Sequence, residues 1–254
     1  MVGRWLGAAS LGVYDRAYTL LEATDRIVGR PLDKVLFPSF ARIQEESGRV
    51  RRAFKRGFSL FGVFFMPVSA VAVIFSQEVV AVTLGGQWDA AIIPFRILAA
   101  GIFFRNGYKL CDILARGCGR VYGQALRHTF YAIAVIGGAL VGQQWGVNGV
   151  AAAALFALFV NFVGMVHLSL DITGLKWISI GRLLARPLVL AVIAGTLAYV
   201  LRWGIQIIGW SPLFRLVGAC GIIGGIAGTL AWLRPHTFGK DGVWLRNQVI
   251  KDVG

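Results

Sequence analysis

Long apolar segments dominate this sequence and constrain what it can fold into. They cover residues 57–83, 90–115, 123–143, 147–170, 186–203 and 212–233. About 20 mostly apolar residues are enough for an α-helix to cross a bilayer, and each segment is close to that length or longer. Only 15% of the residues are charged, whereas roughly 25% is typical of a soluble domain. The sequence therefore predicts an all-α, polytopic bundle of transmembrane helices.

The gaps between these segments alternate in basic content, which indicates their orientation because loops rich in Lys and Arg stay in the cytoplasm. Two gaps, LGGQWDAA and QQWGVN, contain no basic residue, and the gap before Pro212 contains only Arg202. The intervening gaps and the tail contain Arg42, Arg49, Arg51, Arg52, Lys55 and Arg56; Arg116, Arg120 and Arg127; Lys176, Arg182 and Arg186; and Arg234, Lys240, Arg246 and Lys251.

This alternation is regular only if the more polar segment 13–38 also crosses the membrane. The sequence then predicts about seven spans, with the N-terminus outside and the C-terminus in the cytoplasm. No cleavable signal peptide is visible at the start. An odd number of spans that begins outside without a signal peptide predicts that a further part of the protein precedes Met1.

Two of the predicted spans carry a charged face. One stripe consists of Arg105, Lys109, Asp112 and Arg116, and the other of Asp15, Glu22, Arg26, Arg30 and Asp33, with Asp25 and Lys34 beside it. Residues three and four apart share one face of a helix. A charge at the bilayer centre costs about 2.5–3.5 kcal/mol on insertion scales, so such residues normally face a wet cavity or a partner. We expect the two faces to line one cavity.

Two interpretations of these charges remain open. Arg105, Lys109 and Arg116 outnumber Asp112, and a cavity with a basic surplus favours an anionic ligand such as a phosphate or an acidic sugar. Alternatively, the charges pair with one another and only hold the bundle together, for example Glu22 with Arg26 and Lys109 with Asp112. The carboxylates at Glu22, Asp25 and Asp112 are therefore candidates either for pairing or for coupling to protons or sodium.

Several other classes of function find no support in the sequence. The net charge of +14 lies in short gaps between apolar runs and not on one surface of a soluble fold, which argues against nucleic-acid binding. His128, His167 and His236 have no carboxylate or Cys at ligand spacing, so no metal site and no cofactor are predicted. GxSxG, Walker and HExxH motifs are absent, and every loop is too short for a catalytic domain. An enzyme is not predicted.

The order of motifs resembles that of the Wzx-type polysaccharide and lipopolysaccharide flippases, a branch of the multidrug/oligosaccharidyl-lipid/polysaccharide exporter superfamily. The likeness covers roughly residues 3–205 and rests on LGAASLGVYDRAYTLLE, KVLFPSFARIQEESGRVRRAFKRG, TLGGQWDAAIIPFRILA, ILARGCGRVYGQALRH and WGVNGVAAA. Members of this family have 12 to 14 spans in two lobes around a central cavity, an arrangement of repeats common among transporters.

The resemblance implies that this chain corresponds to the C-terminal portion of such an exporter. Residues 1–12 would be an exterior turn after a preceding span, 13–170 a lobe of five spans, 171–234 two additional spans and 235–254 a cytoplasmic tail. A missing N-terminal lobe or a second copy would complete the molecule. The expected location is the bacterial inner membrane.

The implied activity is movement of an undecaprenyl-diphosphate-linked oligosaccharide between the leaflets of that membrane. Arg105 and Lys109, with Arg26 and Arg30 opposite, would hold the diphosphate and any acidic sugar while the lipid tail stays in the bilayer. Two alternatives remain open: a membrane subunit of a polysaccharide-export complex that does not itself transport, and a polymerase or ligase acting on undecaprenyl lipids. A large exterior loop with catalytic Arg or His, which such an enzyme would be expected to carry, is absent from the sequence.

Overall fold

The computed structural model describes residues 2–208 and residue 221, and within this part all regular structure is helical. The predicted all-α class is therefore confirmed. The α-helices are α1 (Val2–Thr24), α2 (Arg30–Ile43), α3 (Ser47–Ile74), α4 (Ser76–Thr83), α5 (Ile92–Ala99), α6 (Ile102–Gly117), α7 (Val121–Gly142), α8 (Gly146–Thr173) and α9 (Trp177–Ile208). A π-helical segment, Asp25–Gly29, joins α1 to α2, and 3₁₀ segments precede α5 and α8.

Three stretches of the described chain are long and apolar enough to cross a membrane, or four if the bent pair of helices in residues 86–117 counts as one span. The bend in that pair is 47° and interrupts the segment 90–115, which the sequence predicts as a single span. The stretch 121–173 contains both α7 and α8. Segment 13–38 is not among them and lies in the run formed by α1, the π segment and α2.

Helices α7 and α8 form an antiparallel hairpin, so the stretch 121–173 crosses in two arms and not in one. Gly146 turns the chain with φ of 68°, a left-handed conformation that glycine adopts without steric cost. Contacts then pair the arms in opposite order: Gly142 with Gly149, Gly138 with Ala153, and Gly123 with Leu168. At 1.5 Å per residue the arms of 22 and 28 residues are about 33 and 42 Å long, each enough to span a bilayer.

The relative directions of the other helices agree with the predicted alternation. Helices α3 and α9, both predicted to run outward, are parallel, since Gly62 lies beside Pro187 and Gly195 beside Ala70. Helices α6 and α8, both predicted to run inward, are also parallel, with Gly101 beside Leu155 and Gly107 beside Phe162. Helix α3 runs against α5 and α6: Gly57 contacts Leu110, and the Ser69 hydroxyl donates to the Ala99 carbonyl at 2.8 Å.

Phenylalanine rings fill the core between α3, α6 and α8. Phe54, Phe58 and Phe65 of α3 are at most 1% exposed, and Phe162 of α8 stacks on Phe58 and meets Phe103 edge to face. Helices α7 and α9 lie outside this core and expose rows of large apolar side chains, as expected for surfaces that face lipid. The core thereby fixes α6 with one face toward α1 and α2.

The described residues cover only part of the segments predicted at the two ends of the chain. Helix α1 begins at Val2, within the segment 1–12 predicted as an exterior turn, and Gly7 interrupts it with φ of 84°. Segment 171–234 supplies α9, whereas the span predicted at 212–233 and the tail at 235–254 lie outside the described residues, apart from helical residue 221.

Candidate functional site

Helix α6 carries the charged side chains of the site into the interior of the bundle. Its apolar face packs into the core through Phe103, Leu110 and Leu114. The opposite face carries Arg105, whose side chain is only 8% exposed, and Lys109, at 25%. A charge buried to this extent is costly without a partner, so the contacts of this face determine whether the arrangement is stable.

The partners are carboxylates of the run from α1 to α2. Arg105 Nη2 lies 3.3 Å from Glu22 Oε1, Lys109 Nζ forms an ion pair with Asp25, and Arg116 Nη2 lies 2.7 Å from Asp33 Oδ1. From pair to pair, the residue numbers of both partners increase in the same order. The run α1–α2 and helix α6 are therefore parallel, as the alternation requires. The structure thus brings the two sequence-predicted charged faces together. We refer to these three ion pairs as the charge ladder.

A cavity of about 240 Å³ opens beside two pairs of the charge ladder, Asp25–Lys109 and Asp33–Arg116. Its lining consists of Asp25, Gly29, Asp33, Tyr108, Lys109, Asp112, Ile113, Arg116 and His128. Three carboxylates thus face one lysine, one arginine and one imidazole. The basic surplus of α6, evident from sequence alone, is balanced here by acids from α1–α2, and the net charge of the lining is close to zero.

Asp112 is held by residues of α6 and α7. Its Oδ1 lies 2.8 Å from His128 Nε2 and accepts a hydrogen bond from the Gln124 side chain, and its Oδ2 lies 3.3 Å from Arg116 Nε. The pairing of Asp112 with Lys109 considered from sequence is not the one observed. Sequence reasoning missed Gln124 and His128, although they stand four positions apart and share one face of α7 with Tyr131.

Arg26, another predicted site residue, lies in the π segment between α1 and α2. Arg26 Nη2 contacts Glu22 Oε2 at 3.4 Å, and its side chain is 54% exposed; this is the Glu22–Arg26 pair that the sequence suggested. Glu22 therefore bridges Arg26 and Arg105. Arg105 also donates to the Tyr18 hydroxyl at 2.8 Å. The side chain of Arg30 lies outside the part that the structure describes.

The π segment places Asp25 in the cavity. A Cβ at Gly29 would lie 2.2 Å from Asp25 Oδ1, so the carboxylate occupies space that a side chain at position 29 would need. Pro31 follows in the first turn of α2, where its missing N–H costs nothing. Single π-helical turns inside α-helices occur frequently at functional sites, and this one adjoins the Asp25–Lys109 pair.

A second buried ion pair lies away from this cavity, where α9 meets α4. Arg202 Nε lies 3.1 Å from Glu78 Oε1, and Arg202 also donates to the Ile74 carbonyl at 2.7 Å. Glu78 is 4% exposed. These contacts attach α9 to the end of α3 and place no group in the cavity. Among the described residues, no group of three or more His, Cys, Asp or Glu side chains is arranged to hold a metal ion.

Comparison with known proteins identifies sequences related to this chain. A family model described as "Polysaccharide biosynthesis protein" matches residues 1–93, which contain the charged segment of α1 and α2. Lipopolysaccharide biosynthesis protein WzxC of Escherichia coli (strain K12) is 24% identical over 164 residues, which is 64% of this chain and 33% of WzxC. The resemblance to the Wzx-type polysaccharide flippases is confirmed.

A second relative is the teichuronic acid biosynthesis protein TuaB of Bacillus subtilis (strain 168), 26% identical over 99 residues. That match covers 39% of this chain and 20% of TuaB. The matched part of the chain thus corresponds to about a third of the length of WzxC and a fifth of the length of TuaB. One relative is named for lipopolysaccharide biosynthesis and the other for teichuronic acid biosynthesis. No solved structure matches the chain.

Proposed function

We propose that this chain acts in a polysaccharide-biosynthesis transporter that moves an undecaprenyl-diphosphate-linked oligosaccharide across the bacterial inner membrane. One observation carries the proposal: a charge ladder and a polar cavity lie between helices of an otherwise apolar bundle. Intramembrane ionisable residues commonly mark a substrate path. An N-terminal lobe or a second copy would close the other side of that path.

An anionic substrate binds in this nearly neutral cavity by replacing the carboxylates that are paired with its cations. Lys109 and Arg116 are bound to Asp25 and Asp33 in this structure. A diphosphate supplies oxygen acceptors for the same cations, and Arg can bind it through paired hydrogen bonds. The displaced carboxylates then face the water of the cavity. In the absence of substrate, the acids keep the buried cations paired, which avoids the cost of leaving a charge alone.

Glu22, Asp25 and Asp112 have distinct roles in this proposal. Asp25 is exchanged for substrate at Lys109, whereas Glu22 keeps Arg105 and Arg26 in place. Asp112 remains bound to His128 and Gln124 of α7, so it connects the cavity to a further helix. Of these three carboxylates, Asp25 alone loses its partner on exchange, so any coupling to protons or sodium among them would act through Asp25.

Transport is tested with the purified chain in liposomes that contain undecaprenyl diphosphate linked to a radiolabelled oligosaccharide. The sugar that reaches the outer leaflet is measured by its reaction with a membrane-impermeant oxidant. We expect the wild-type chain to accelerate this movement over protein-free liposomes, and Lys109→Gln to slow it at least tenfold. Arg49→Gln is the matched control, because Arg49 pairs with Glu46 at an exposed site outside the cavity.

Each alternative predicts a different result. A subunit that does not transport would give the rate of protein-free liposomes with every variant. A polymerase or ligase would lengthen the saccharide or transfer it, which chromatography of the recovered lipid detects. Equal transport by wild type and Lys109→Gln would contradict the role given to the cavity.

A further inference from the structure

Tyrosines gather at one place in this chain, next to the charge ladder. The sequence has 6 tyrosines and 17 phenylalanines. Phenylalanine fills the core, whereas four tyrosines form a chain of contacts that passes Arg105: Tyr14 and Tyr18 of α1, Tyr108 of α6 and Tyr131 of α7. Tyr18 contacts the Arg105 guanidinium, and Tyr108 stands three positions from Arg105 on the same face of α6. The other two, Tyr122 and Tyr199, are 93% and 67% exposed on the outside of the bundle. We refer to the four central residues as the tyrosine cluster.

The rings of the tyrosine cluster form two adjoining pairs. Tyr14 and Tyr18 are stacked with ring centroids 5.9 Å apart and an interplanar angle of 21°. Tyr108 and Tyr131 lie 6.4 Å apart, centroid to centroid. The Arg105 guanidinium carbon lies 5.1 Å from the centroid of the Tyr18 ring. Tyr108 also lines the cavity, so the tyrosine cluster and the cavity are continuous.

The hydroxyl groups of the tyrosine cluster are mostly unused within the protein. Tyr18 accepts a hydrogen bond from Arg105. Within the described part of the chain, no hydrogen bond is formed by the hydroxyls of Tyr14, Tyr108 or Tyr131, and all four residues are partly exposed. A tyrosine hydroxyl is both a donor and an acceptor, so these three are available to a ligand. Packing alone would be satisfied by phenylalanine, which the core uses throughout.

We propose that the tyrosine cluster binds a sugar ring of the lipid-linked oligosaccharide, an inference that rests on the transport function proposed above. The flat face of an aromatic ring packs against the C–H face of a pyranose. Free tyrosine hydroxyls, together with the side chains of Glu22 and Arg26, supply donors and acceptors for sugar hydroxyls. The charge ladder thus holds the diphosphate, and the tyrosine cluster holds the saccharide beside it.

The test compares two probes in binding to the full chain in lipid nanodiscs. One probe is undecaprenyl diphosphate carrying a single hexose, and the other is undecaprenyl diphosphate without sugar. We expect Tyr131→Leu to weaken binding of the sugar-bearing probe about tenfold and to leave the bare probe within twofold of wild type. Tyr131→Phe, which keeps the ring but removes the hydroxyl, should recover only part of the lost affinity. Tyr199→Leu, on the outer surface, serves as the matched control.

The outcomes separate this inference from the function on which it rests. Equal weakening of both probes by Tyr131→Leu would show a purely structural role and would overturn the inference. Unchanged binding of both probes would also overturn it. Failure of the wild-type chain to bind either probe would overturn the proposed function itself, and the inference with it.

Discussion

Lys109→Gln is expected to lower the free energy of unfolding by about 3 kcal/mol, and adding Asp25→Asn to recover most of that loss. Removing one member of a buried ion pair typically costs 3–5 kcal/mol, because the other charge is left without a partner. The Asp25 side chain is 12% exposed and that of Lys109 25% exposed, which places the expected cost at the low end of that range. Replacing both members removes the unpaired charge.

This pair of variants also separates the two interpretations that the sequence left open. The free energy of unfolding is measured in mixed micelles by titration with a denaturing detergent, and transport is measured in parallel. If the pair only holds the bundle together, the double variant should be stable and active. If Lys109 binds substrate, the double variant should be stable but at least tenfold slower in transport. Glu46→Gln with Arg49→Gln, an exposed pair, should change stability by about 1 kcal/mol or less.

Gly149→Ala is expected to destabilise the hairpin of α7 and α8 by about 3 kcal/mol. A Cβ at position 149 would lie 2.1 Å from the Gly142 carbonyl oxygen and 2.8 Å from Trp145 Cβ. The first of these atoms belongs to the backbone of the opposite arm, so the two helices must separate to make room. Overpacking of this kind typically costs 1–3 kcal/mol, and a contact with backbone falls at the upper end.

Gly137→Ala provides a control on the same hairpin. No atom lies within 4 Å of a Cβ at that position, and alanine favours a helix over glycine by up to about 1 kcal/mol. The two Gly→Ala changes should therefore move the unfolding midpoint in opposite directions. Equal midpoints for Gly149→Ala and wild type would show that the arms do not approach as closely as the structure indicates.

Helix positions and charged faces were predictable from sequence because both depend on local periodicity. The spacing of Arg105, Lys109 and Arg116 is sufficient to place them on one face. The basic content of the gaps was sufficient to predict that α1–α2 and α6 run in the same direction, and the contact of Asp33 with Arg116 agrees with this.

Partner choice was not predictable in the same way, because it depends on how helices distant in sequence pack. The local option for Lys109 was Asp112, three positions away, but Asp25 is brought to it by the packing of α1–α2 on α6. Asp112 pairs with His128 of α7 for the same reason. The electrostatics of the cavity follow from these long-range contacts, which is why a face with a basic surplus becomes part of a nearly neutral lining.

Two backbone features also escaped sequence analysis. The π segment at Asp25–Gly29 inserts extra residues into a turn without any motif that marks it. The bend between α5 and α6 falls inside a continuous apolar run, at Ala100 and Gly101. Hydropathy reports the length of an apolar segment and carries no information on whether the helix within it is continuous.

The central claim, that the cavity beside the charge ladder takes the lipid-linked oligosaccharide, is tested most directly by photo-crosslinking. Benzoylphenylalanine replaces Tyr108, which lines the cavity, or Tyr199, which lies exposed on α9. Each variant is irradiated in membranes with undecaprenyl diphosphate that carries a radiolabelled oligosaccharide. The account predicts labelled protein from position 108, little label from position 199, and loss of the label at 108 when excess unlabelled substrate is added. Equal labelling at both positions, or none at 108, would contradict it.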